Sequence, residues 1–553
     1  MKERGFVNGN SMRRNGSRGM INGLTNGNGK KDGLINGNSN NNGNGKKGKK
    51  GAMSSPKGRA GAWTVIGIVL LLIFGVFAIS TNTLKTTDWN VIQKYRDYDA
   101  NTISNDHINI DKFAFHQARG AFEFYLQFED NFLKCGDYKN LAYIFIDNDS
   151  NPSTGYDTGY IGADYVIKIV GYNDTVRGSF MKFTSGDEND AQHEWNWTTL
   201  STAAVHSGKD NVITGGVNHI ISSNAKIMVI AQSGYTQDIT PVVSIEKSAL
   251  LVIQTPLDNH TLEVELVPMY SAVKVNYLTV SFSAGVQIKE LNKDKLYVND
   301  TISVKKTYYL HVDTANVESG GIDVGISKVS TDSVYTIWGR DYREYIGTPQ
   351  SIQIDGYFQD WNTIVGENNF NYNHHKAPNP NIDLYQFSEY NDTHGVYFYA
   401  SVKGDMLHGN IAPEMENATG WSGATPAPQK SRSPYDYAEV VFYTKDNIKH
   451  VVQVYGFNGH VMRILMDGKP TKDVKVGVGR NGEFGAIEIG VVGNYHIIKY
   501  SVTMTDWNGA TDTGSATPTV SNFVPYAPEF SQGAIAILVV LVAIPILRKR
   551  KKD

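Results

Sequence analysis

Two stretches of this chain, about 270 residues apart, carry the same succession of residues, and that repeat limits the architecture more than any other feature. Asp88-Trp89 answers Asp360-Trp361, and Asn109-Ile110-Asp111-Lys112-Phe113 answers Asn381-Ile382-Asp383-Leu384-Tyr385. Phe122, Phe124, Leu126 and Phe128 then alternate as Val396, Phe398, Ala400 and Val402 do. Phe132-Leu133 and Met406-Leu407 close this part of the match, and Tyr165 to Tyr172 (YVIKIVGY) answers His450 to Phe457 (HVVQVYGF). Alternation with a period of two turns one face of a strand toward a core. Short alternating strands separated by polar turns, in two copies, predict an all-β body with two β-sandwiches, over 84–246 and 350–518. Between them, residues 247–346 hold strand-like runs at Ala249 to Thr255, Val273 to Phe282, Thr307 to Asp313 and Gly321 to Val329. That length and rhythm predict an immunoglobulin-like sandwich acting as a spacer. Cys135 is the only cysteine, so no intrachain disulfide can support these folds and packing must do so.

The residues of the repeat also carry a resemblance. Ile354-Asp355-Gly356-Tyr357-Phe358-Gln359-Asp360-Trp361, followed by Asn381-Ile382-Asp383 and a strand pair, resembles the opening of family 9-type carbohydrate-binding modules and the related DOMON-like sandwiches. The first copy adds Asp147-Asn148-Asp149-Ser150-Asn151-Pro152-Ser153-Thr154-Gly155-Tyr156 and then Gly162-Ala163-Asp164-Tyr165. The second ends in Met504-Thr505-Asp506-Trp507-Asn508-Gly509, similar to that family's last strand and turn. The resemblance implies jelly-roll-like sandwiches, often calcium-containing, that bind sugars or serve as surface domains. The copies differ where the first has its acidic loop. The second has Thr444-Lys445-Asp446-Asn447 there, and Lys449 in place of Asp164.

Charge is distributed as a map of topology. Formal net charge is −3, yet residues 1–61 carry +11 and residues 548–553 carry +4, which leaves −18 on the body. Inside the basic head, Asn and Gly dominate and NGNGKK occurs at both 26–31 and 42–47. A segment so poor in apolar residues is expected to be disordered. Residues 62–79 follow without a charge, and 530–547 form a second apolar run that ends in Arg548, Lys549, Arg550, Lys551 and Lys552. Each is long enough for one membrane-crossing helix. With the basic clusters on the sides away from the body, both termini are expected in the cytoplasm and the body outside the cell membrane, joined to the second helix by a linker at 519–529. A 60-residue head before the first run argues against a cleavable signal peptide. Pro528-Glu529-Phe530, the apolar run and the basic cluster resemble the Pro-Glu-Phe-type sorting signals of archaeal surface proteins; a plain anchor helix with a stop-transfer cluster is the competing reading. An acidic exterior argues against nucleic acid as the partner of the body.

Two sets of residues are candidate sites. Asp147, Asp149 and Asn151 at alternate positions, with Asp157 and Asp164 beyond, offer oxygen ligands in the number calcium requires. The competing reading is a hairpin loop whose Asp and Asn side chains cap their own backbone. Sugar binding needs flat aromatic faces, and Trp195 and Trp197 at i and i+2 share one side of a strand, with Trp421 as the counterpart in the second copy. Tryptophan in a sandwich is as readily core. No nucleophile elbow, zinc-protease helix or phosphate-cradling loop occurs, so the chain is not expected to be an enzyme. The resulting expectation is a membrane-anchored surface protein that holds glycan through tandem sandwiches. The alternative is an envelope or adhesion scaffold that contacts neighbouring surface proteins and has no sugar site.

Overall fold

The computed structural model describes residues 87–98, 105–184, 192–258, 260–416, 418 and 434–518. The basic head and tail, both apolar runs, the 519–529 linker and Trp421 lie outside them. Among the described residues no helix is long and apolar enough to cross a membrane. The regular structure of the described chain is almost wholly strand, relieved by a turn of π-helix at Trp361–Val365 and a short 3-10 turn at Glu367–Asn369.

In the first sandwich the strands Ile110–Ala118, Ala121–Phe128, Val212–Val217 and Trp197–Ser207 lie side by side. The sheet continues through Thr175–Phe183, Tyr165–Tyr172, Asn140–Asp147, Lys226–Ser233 and Thr236–Ile239. The second sandwich has the same order in two sheets. One runs Leu384–Asn391, Gly395–Val402, Phe484–Val492, Val474–Asn481; the other runs His460–Met466, Lys449–Phe457, Asp436–Thr444, Ile497–Thr505, Thr511–Ala516. What differs is a join. Thr175–Phe183 pairs with Trp197–Ser207 in the first, through a bulge at Phe180/Met181, so its two halves form one folded-over sheet. The alternating aromatic residues sit as their spacing predicts, with Phe122, Phe124, Leu126 and Phe128 packed with Ile144 and Ile146 in one core. Val396, Phe398, Ala400 and Val402 occupy the corresponding core of the second.

Register refines the repeat. Ile110 pairs with Phe128 and Leu384 with Val402, each just before a bulge. Asp238 accepts a 2.6 Å hydrogen bond from the Ile110 N–H, and Asp512 accepts one of 3.0 Å from the Leu384 N–H. The structural equivalent of Ile110 is therefore Leu384, two residues from where the Asn-Ile-Asp match sets it. A slip of two preserves which side chains face the core, so the pattern alone cannot detect it. The Asp-Trp match is likewise one of sequence more than of environment. Trp361 and Asp360 are buried, whereas Trp89 is half-buried against Tyr125 and Asp88 is exposed.

Between the sandwiches, a five-stranded sheet is centred on Thr261–Met269 and Ala249–Asp258, and a four-stranded sheet on Val273–Phe282 and Gly320–Thr331. The first part of Ala249–Asp258, Ala249 to Val252, is buried on both faces. Leu250 and Val252 enter the middle core, while Ala249 and Leu251 enter the core of the first sandwich. A strand shared by two cores cannot act as a flexible linker, so the middle unit is fused to the first.

Candidate functional site

The acidic loop follows the strand Asn140–Asp147, whose end delivers Asp147 into the interior. Asp147, Asp149 and Asp164 each bring a carboxylate oxygen within 4.8 Å of the others. Asp164 Oδ2 accepts from the Asn148 N–H at 2.9 Å, which ties the far side of the loop to this point. Asp149 accepts from the Asn151 N–H at 2.9 Å and from the Thr154 hydroxyl at 3.0 Å. Asp147 Oδ1 accepts from the Asn151 N–H at 3.1 Å, while its Oδ2 is buried and has no hydrogen-bond partner among the described residues. Burial, opposed by Lys226 and reinforced by Asp149 and Asp164, pushes the Asp147 carboxyl up to about 6. Burial also raises Asp164. A divalent cation would supply a partner for Asp147 and offset two of the three carboxylate charges, so this triad could hold a hard metal ion.

Two of the five expected ligands are engaged elsewhere. Asn151 Oδ1 accepts from the Ser153 N–H at 3.1 Å, the backbone-capping turn that competes with ligation. Asp157 faces His193, whose Nε2 lies 3.0 Å from Asp157 Oδ2, and also accepts from the Gly159 N–H at 2.7 Å. Burial opposes ionisation of Asp157, but the His193 and Gly159 hydrogen bonds hold its pKa below the usual value.

Trp195 and Trp197 stand side by side, their ring centroids 5.6 Å apart at 69°. They do not form an open platform. Trp195 meets Tyr143 and Tyr156 edge to face at 5.6 and 5.3 Å, and Trp197 lies against Phe145, Tyr156 and Phe183. This aromatic layer continues into the second sandwich through Ile411, Ala412, Tyr435 and Phe457. Both indoles are half-buried in the junction between sandwiches.

Beside that layer is a charged cluster the sequence reading did not anticipate. Lys168 Nζ lies 2.7 Å from Glu414 Oε2 and 2.9 Å from Glu416 Oε1, and Lys139 Nζ lies 2.9 Å from Glu416 Oε2. The Tyr143 hydroxyl donates to Glu414 Oε2 at 2.6 Å. Burial disfavours all these charges, yet the attraction of Lys168 holds Glu414 and Glu416 below the usual carboxylate range and the two glutamates hold Lys168 up. Backbone bonds complete the join: the Lys139 N–H donates to Glu416 O at 2.8 Å, and the Ala418 N–H to Asp137 O at 2.8 Å. The visible signal was one lysine in the apolar strand YVIKIVGY and two glutamates at alternate positions far away.

No protein-family model and no curated protein matches this chain. Solved structures similar to it include a marsupial T cell receptor at 9% identity, covering 73% of this chain and 99% of that one with a TM-score of 0.12. The I-band fragment I67–I69 of titin is similar at 9% identity, covering 64% and 92%, with a TM-score of 0.10. Domains 4–9 of surface layer protein SbsC match at 11% identity, covering 68% and 47%, also with a TM-score of 0.10. Likeness at this level carries no argument about function.

Proposed function

We propose that the chain is a non-catalytic, membrane-anchored scaffold of the cell surface, with its acidic body outside and both termini in the cytoplasm. In this reading its two sandwiches are of the family 9 or DOMON-like jelly-roll type and the middle unit is an immunoglobulin-like spacer. The observation that carries the scaffold reading is the Lys168–Glu414–Glu416 cluster with the aromatic layer beside it, which lock the first sandwich to the second. Residues that would otherwise display a sugar platform are spent on rigidity. Calcium, held by Asp147, Asp149 and Asp164, would stiffen the loop at one end of the first sandwich. Neighbouring surface proteins are the expected partners.

Spin labels at exposed Thr202 and Lys475, one on each sandwich, test the scaffold in the full chain. A rigid body gives one narrow distance distribution. A broad distribution, as from units on a free linker, would falsify it. Carbohydrate capture remains as a second reading because one observation favours it: a cleft lined by aromatic rings and amides where the three units meet.

A further inference from the structure

We propose that this three-way cleft is a binding site for a neutral carbohydrate, of the size of a mono- or disaccharide unit of a larger glycan. The proposal deepens the carbohydrate reading and moves it away from Trp195 and Trp197. The cleft has a volume of about 470 Å³, within the range of roughly 300–1,000 Å³ typical of small-molecule sites. Each unit contributes to it: Tyr160 and Tyr235 from the first, Trp338 from the middle, and Trp507, Asn381 and His408 from the second.

Its chemistry selects the ligand class. Among the described residues no Lys, Arg, Asp or Glu lines the cleft, so a charged ligand would find no compensating partner in them. The exposed Tyr160 and the half-buried Tyr235 and Trp338, over the buried Trp507, give aromatic surface against which the C–H face of a sugar ring can lie. Side-chain amides and the His408 imidazole add groups that can exchange hydrogen bonds with hydroxyls. Burial lowers the pKa of His408, which keeps its ring neutral.

The lining is also held in place before any ligand arrives. The Trp507 N–H donates to the buried Asp436 Oδ1 at 3.0 Å, and Asn508 Nδ2 donates to the Tyr235 hydroxyl at 2.8 Å. Tyr160, 42% exposed at the rim, follows Gly159, whose φ of 81° turns the loop. Asn458 Nδ2 of the second sandwich fixes that loop by donating to Thr158 O at 3.2 Å. A preformed site loses less entropy on binding. The same contacts explain why the cleft depends on the fused arrangement of the units.

The test uses the full chain in lipid nanodiscs, free of sugar-based detergent. Glucose, galactose, mannose, N-acetylglucosamine, cellobiose, maltose, lactose and chitobiose are titrated by calorimetry and tryptophan fluorescence. The expected result is saturable binding of at least one sugar, weakened tenfold or more by Tyr160→Ala or Trp338→Ala. Tyr160→Ala should leave the melting temperature unchanged, and it decides the matter if Trp338→Ala does not fold. Binding that both variants leave within twofold overturns the cleft while sparing the carbohydrate reading. No saturable binding of any of the sugars overturns both and leaves the scaffold.

Discussion

Lys168 and Glu414 form a 2.7 Å ion pair although they stand 246 residues apart in the chain, on different sandwiches. The side chain of Lys168 is only 14% exposed, so its charge has left water for two carboxylates. Such a pair adds little net stability over an apolar contact, but losing one partner strands the other charges. The observed docking of the sandwiches satisfies Lys168, Lys139, Tyr143, Glu414 and Glu416 together.

Lys168→Met is therefore expected to destabilise the chain by about 3 kcal/mol, the low end for breaking a buried pair because Glu414 keeps some exposure. Adding Glu414→Gln removes the stranded charge while Glu416 keeps Lys139, so the double variant should recover part of that loss. Urea unfolding of the three forms measures both effects. A double variant less stable than Lys168→Met would show that the stranded charge is not the cause.

The acidic loop gives a prediction about cation dependence. Calcium bound at Asp147, Asp149 and Asp164 would stabilise the folded state by about 2.7 kcal/mol at a hundred times its dissociation constant. Melting followed in calcium and then in chelator should show that difference for the native chain and none for Asp149→Asn. Chelator should leave the native melting temperature lower than it is in calcium; identical curves would remove calcium from the account.

Trp195 sits edge-on to Tyr143 and Tyr156 and lines the junction of the sandwiches. Trp195→Ala should consequently cost about 3 kcal/mol, the lower end for an aromatic truncation because the ring is only half-buried. Sugar affinity should stay the same wherever this variant remains folded. Thermal unfolding and the titrations described above read the two effects separately.

What the sequence disclosed follows from what periodicity can encode. The alternation of Phe122, Phe124, Leu126 and Phe128 identified a core face because burial on one side of a strand leaves a period of two. The same periodicity hid the two-residue slip between Ile110 and Leu384, since both alignments bury the same face. Three of the five candidate loop ligands converge because Asp147 and Asp149 are close in the chain and Asp164 immediately precedes the return strand Tyr165–Tyr172. Asn151 and Asp157 were drawn off by local backbone and His193 partners that composition does not reveal. The indole pair at Trp195 and Trp197 was visible, but not the second sandwich that covers it. The three-way cleft was illegible, because Tyr160, Trp338 and Trp507 belong to different units and meet only through docking.

Glu389 offers the sharpest pH prediction. By the register that equates Ile110 with Leu384, it occupies the position of Phe115, a core residue of the first sandwich. It is 1% exposed and neither carboxylate oxygen has a hydrogen-bond partner among the described residues. Burial pushes its pKa up to about 8, from 4.5. Because the folded value is the raised one, its stability contribution is full below about pH 4.5 and is lost as pH climbs through 8. Replacing it by methionine removes a carboxyl that has no reason to be ionised there. Glu389→Met should raise stability by about 1–3 kcal/mol at pH 9 and by less at pH 5, where the native carboxyl is neutral. Urea unfolding at the two pH values compares the slopes. A native chain as stable at pH 9 as at pH 5, with Glu389→Met no better at either, would mean that Glu389 finds a partner in solution.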